Sequence, residues 1–110
     1  MSVKQTVQAT RSTSGDGTAV IAAPGTGKYI HIYDGAAVQA APGDDDCTVT
    51  IKSGSDALFK VALSGGVYGV VGMPEMVAGE NEDVFVNLSA TADVDVTISY
   101  AVRSIISVPH

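Results

Sequence analysis

Nine residues, 94–102, most constrain what this chain can fold into. They read Val-Asp-Val-Thr-Ile-Ser-Tyr-Ala-Val, so Val94, Val96, Ile98, Tyr100 and Val102 alternate with Asp95, Thr97, Ser99 and Ala101. Successive strand side chains point to opposite faces, and this alternation therefore makes a strand with one buried and one solvated face. A helix would scatter the large side chains around its circumference. The β-branched Val, Ile and Thr suit a pleated surface. The rest of the chain is expected to supply further strands that close the other side of this core.

The same pattern returns in shorter pieces. Strands are predicted over 18–23, 29–39, 47–53, 58–63, 67–71 and 84–88, separated by Pro24-Gly25-Thr26-Gly27, Gly54-Ser55-Asp56 and Ser64-Gly65-Gly66. Asp34-Gly35 is expected to break or bulge the second of these. Residues 40–46 read as a loop. Residues 72–83 are the longest connection and the candidate crossing between two sheets. Together these features predict an all-β chain, a jelly-roll-like antiparallel β-sandwich of seven or eight strands. An immunoglobulin-like sandwich is the other architecture weighed, but the Cys and Trp marks of its antibody type are absent. The expected organisation is a flexible N-terminal arm over 1–17, a sandwich over 18–103 and a C-terminal tail over 104–110. Val3, Thr6 and Val7 would equally allow a weak edge strand within the arm.

Composition bounds the function. A chain of 110 residues with 45% hydrophobic content is one domain with a core of its own. Its net charge is −6, and Lys4, Arg11, Lys28, Lys52, Lys60 and Arg103 are all isolated from one another. Nucleic acid and anionic membrane surfaces both select concentrated Lys and Arg, so neither is an expected partner. Cys47 is the single cysteine, which rules out an intrachain disulfide framework. The first residues lack the apolar segment of a signal peptide, and no apolar run approaches the ~20 residues of a membrane helix. Synthesis in the cytoplasm without standard export is the expectation.

Candidate chemistry is sparse. Gly25-Thr26-Gly27-Lys28 resembles the end of a phosphate-binding loop, but Ala22 and Tyr29 occupy both anchor positions, and a turn is expected. Asp44, Asp45 and Asp46 offer oxygen ligands without the spacing of a calcium loop, and read as a solvated acidic tip. His31, His110 and Cys47 make no metal-ligand spacing. Cys47 has no activating neighbour and is expected to be an inert thiol. No acid–base pair or activated nucleophile can be assembled, so no enzyme, cofactor or metal is expected. Tyr29, His31 and Tyr33 would share the outside of the sheet if Ile30 and Ile32 face the core, and would then form an interface patch. The tail carries Ile105, Ile106 and Val108 beyond the expected end of the sandwich, which suits an arm that reaches a neighbouring subunit.

From Lys28 onward the chain resembles small phage virion proteins of jelly-roll type. The resemblance lies in Gly27-Lys28-Tyr29-Ile30-His31-Ile32-Tyr33, in Thr48-Val49-Thr50-Ile51-Lys52-Ser53-Gly54, in the Gly65-Gly66 turn, in the stretch from Met73-Pro74 to Asn81-Glu82, and in a last strand ending in Tyr100. It implies a non-enzymatic role on the virion. That role would be a capsid decoration (cement) protein on the outside of the major capsid protein lattice or, alternatively, a tail-fibre or receptor-binding module. It also implies a homotrimer. The expected contacts are Val3, Gln5, Val7 and Arg11 of the arm, the Tyr29, His31 and Tyr33 face, and Ile105 and Ile106 of the tail.

Overall fold

The computed structural model describes residues 4–105, and Val3 and Ile106 lie outside them. The described residues form ten strands: β1 (Gln5–Arg11), β2 (Gly15–Asp16), β3 (Lys28–Ile32), β4 (Ala36–Pro42), β5 (Cys47–Ser53), β6 (Asp56–Leu63), β7 (Gly69–Met73), β8 (Met76–Val77), β9 (Val84–Leu88) and β10 (Ala92–Ser104). Every pairing is antiparallel.

Four of the ten are halves of longer strands. Both β3 and β4 pair with the same edge of β10, one at residues 100–104 and the other at 92–97, while β1 holds the opposite edge. The break between them is a bulge at Tyr33 to Gly35, where Gly35 takes φ +89. The sequence signal at Asp34-Gly35 thus marks a real interruption. In the same way β7 and β8 run end to end along β4 and β3, broken at Pro74 and Glu75. Counting these pairs as single strands leaves eight, in two sheets. Sheet A runs β1, β10, β3/β4, β7/β8; sheet B runs β2, β9, β5, β6. In chain order that is 1-8-3-6 over 2-7-4-5, two Greek keys wound into a jelly roll. The fold class expected from the sequence is the one found.

The core lies between the sheets. Ile30, Ile32, Val38, Val94, Val96 and Ile98 of sheet A meet Val49, Ile51, Val84, Val86 and Leu88 of sheet B, all at most 3% exposed. The alternation in β10 holds as far as Ile98 and then lapses. Tyr100 and Val102 are half-exposed, and Ala101 is fully buried on the other face.

The ends of the expected domain need correction. Residues 5–11 take the edge-strand alternative and not that of a flexible arm: they pair residue for residue with Tyr100 to Val94. β10 is paired on both edges, and β1 holds one of them. The apolar run at 18–23 is no continuous strand: only Ile21 bridges to Val84, and the regular pairing falls on Gly15 and Asp16. β10 runs on to Ser104, and the Ile105 amide donates to the Gly27 carbonyl at 3.0 Å. The crossing between sheets is shorter than expected, over 78–83. Asn81, at φ 52, pins it by donating its amide to the Lys28 carbonyl and accepting from the Gly25 amide.

Candidate functional site

Sheet A has an outer face, and the register sets what stands on it. Tyr29 lies opposite Arg103 and His31 opposite Ala101, while Tyr33 in the bulge donates its amide to the Ser99 carbonyl. Ile30 and Ile32 are fully buried, so the three rings do stand together outside. Arg103 ties them. Its Nε donates to His31 Nδ1 at 2.7 Å and an Nη donates to the Tyr33 hydroxyl at 3.0 Å. Ala101, opposite His31, is fully buried.

A guanidinium only donates, so His31 Nδ1 must accept and the ring proton sits on Nε2. Nε2 in turn donates to the Glu75 carboxylate at 2.5 Å. The His31 and Tyr33 rings pack at 4.7 Å between centroids, with the Lys4 ammonium 5.1 Å from the Tyr33 ring centre. Tyr29, His31, Glu75, Met76, Val77 and Arg103 line a shallow groove beside this cluster. The arrangement can stack a flat or apolar group and hydrogen-bond a polar one. It contains no nucleophile next to a base.

A second feature adjoins it along the β7/β8 edge. Among the described residues, five large apolar side chains are conspicuously exposed: Val67, Tyr68, Val70, Val77 and Ile105, at 49–62%. Four of the five sit on β7 or β8 or just before β7. The sequence carries a signal for this that periodicity alone misses: residues 61–74 contain no charged side chain.

The remaining expected contacts fall differently. Gln5 accepts a hydrogen bond from the Tyr100 hydroxyl, Val7 packs half-buried against the core, and an Arg11 Nη donates to the Ser14 and Gly15 carbonyls at 3.2 and 2.9 Å. All three make contacts within their own domain. Ile105 is exposed beside Gly27, far along the chain from the arm residues it was grouped with.

The other candidates resolve into structure. The Gly25 to Lys28 segment is a turn closed by a 3.1 Å bond from the Lys28 amide to the Gly25 carbonyl. Asp46 accepts from the Gly65 amide at 2.8 Å and so clamps the β6–β7 turn. Among the described residues no cluster of His, Cys, Asp and Glu could hold a metal. The Cys47 thiol is buried and donates to the Ala90 carbonyl at 3.4 Å. Ser53, fully buried, donates to Glu82 and accepts from the Gly79 amide, which locks β5 to the 78–83 crossing. Asp16 accepts from the Asn87 amide at 2.7 Å and lies 3.5 Å from the Lys52 ammonium. The hydrogen bond from Asn87 foremost, with Lys52 and Arg11 adding, holds its carboxyl below the ordinary aspartate value.

No protein-family model matches this chain, and no curated protein matches it in sequence. Solved structures do match in fold. One is a chain of Bacillus endospore appendages, described as a novel family of disulfide-linked pili. It has TM-score 0.50 and 12% identity over 96% of this chain and 89% of that one. Another is the CBM36-1 domain of a multidomain xylanase from the hindgut metagenome of Trinervitermes trinervoides. It has TM-score 0.41 and 16% identity over 96% of this chain and all of that one. Both are β-sandwich domains. At such identity the first likeness is one of fold, and the second is too distant in geometry to build on.

Proposed function

We propose that this chain is a structural assembly module, specifically a phage capsid decoration protein that binds the outside of the major capsid protein lattice and stabilises the head. The observation that carries the reading is the gathering of exposed apolar side chains along one sheet edge. Large exposed apolar groups that cluster beside a groove, rather than scatter, mark a surface that is covered in the working state. A jelly roll with buried, well-packed sheets is a rigid body suited to presenting such a surface. The sequence resemblance to small jelly-roll virion proteins supports the particle named, and the pilus neighbour supports the broader theme of a sandwich used as a building block.

The test is copy number in purified particles, by mass spectrometry against the major capsid protein. Hundreds of copies fit decoration of a lattice. A few to a few tens would instead favour the second reading, a tail-fibre or receptor-binding module. That reading draws on the groove at Tyr29, His31 and Arg103, which offers a ring and hydrogen-bonding groups to a surface ligand, and a glycan array tests it. Absence from particles would overturn both.

A further inference from the structure

We propose that β7 is a self-pairing edge: β7 of a second copy of this chain adds antiparallel to it and extends sheet A across a two-fold axis. The inference concerns the purified protein alone and stands whether or not the chain decorates a capsid.

The kind of partner follows from the edge. β7/β8 borders sheet A, with β4 and β3 on one side and no strand on the other among the described residues. An edge presents a row of backbone donors and acceptors that only an extended strand matches. The flanking side chains Val67, Tyr68 and Val70 are 57–62% exposed, so the incoming strand must be apolar.

Charge on the strand itself does not oppose a second copy. Each chain carries −6, so two copies repel over most of their surface. Residues 61–74 carry no charge themselves, while Asp46 binds the Gly65 amide near their start and Glu75 follows their end. The other edges differ: β1 is flanked by Lys4 and ends in Arg11, and β6 carries Asp56 and Lys60. A charge on an edge strand is the usual guard against strand addition, and β7 has none.

β7 also complements itself. A two-fold centred on Val71 sets Val70 of each copy opposite Gly72 of the other. Val70 is exposed, and a Cβ built at Gly72 meets nothing within 4 Å. The large residue therefore faces open space above the small one. Such a contact is isologous and closes at two copies, unlike the three-fold association that the virion resemblance implies.

Sedimentation over a wide concentration range tests this. The expected result is an equilibrium between the 11.2 kDa chain and its dimer. Val70→Lys should weaken the dimer by about tenfold or more, through an unpaired charge on the edge. Thr10→Lys, on the exposed outer side of β1, should leave it unchanged. A chain monomeric throughout, a trimer, or a dimer of equal strength in Val70→Lys overturns the proposal. Val71→Cys gives a second reading that does not depend on Val70. Mild oxidation should link two copies at the two-fold while buried Cys47 stays out of reach, and failure to cross-link overturns the pairing.

Discussion

The two edges of sheet A solve opposite problems. β1 is attached along its whole length to β10, yet it anchors only lightly, with half-buried Val7 its one large apolar side chain in contact with the core. Its outward positions are Thr6, Gln8 and Thr10, and Arg11 folds back onto carbonyls of its own turn. β7 is shorter and anchors deeply, through Met73 at 3% exposure, yet it shows Val70 to solvent, with Val67 and Tyr68 beside it. One edge is weakly rooted and guarded; the other is firmly rooted and open. Protection of a sheet edge is thus a local property of a few side chains and not of the sheet as a whole. An open edge that is also rigid is the more useful one for assembly, because little order has to be gained on binding.

The contrast can be broken at several points. Met73→Ala removes the root of the open edge, and should cost about 2–5 kcal/mol by urea denaturation, as other buried large-to-small changes do. Ser53→Ala attacks the crossing that follows β8: it strips Glu82 of a donor and the Gly79 amide of an acceptor, for about 1–3 kcal/mol. Val7→Ala, the equivalent insult to the guarded edge, should cost about 1 kcal/mol or less because the side chain is only half-buried. Equal losses for Met73→Ala and Val7→Ala would erase the difference in anchoring.

The mildest effect is on pH. The folded-state carboxyl of Asp16 titrates below its unfolded value, so its contribution is present above the unfolded value, near 3.9, and is lost as pH falls through the folded one. Acid should therefore loosen β2, as faster exchange of the Gly17 amide relative to its intrinsic rate, while the β7 amides hold. Parallel loosening of β2 and β7 would tie both to a global transition instead.

Much of this was legible beforehand. Alternation in 94–98 and 84–88 marked the inward faces, and Asp34-Gly35 marked the bulge that makes β3 and β4 one long strand. Three things were hidden. The polar sequence of residues 5–11 allows loose chain as readily as a strand, because an edge strand with one solvated side has little reason to be apolar. Strand parity could place Tyr29, His31 and Tyr33 on one face, but only the register brings Arg103 from the far end of the chain to bind two of them. Ala101 reads as a small outward residue, yet it is fully buried. The open edge left a trace in composition, the uncharged run at 61–74, which periodicity does not register.

The most direct measurement compares hydrogen exchange at the two edges of the wild-type chain at low and at high concentration. Protection should rise with concentration in residues 69–73 and stay constant in residues 5–11. A rise at β1 with none at β7, or no change at either edge, would contradict the assignment of β7 as the edge on which this protein assembles.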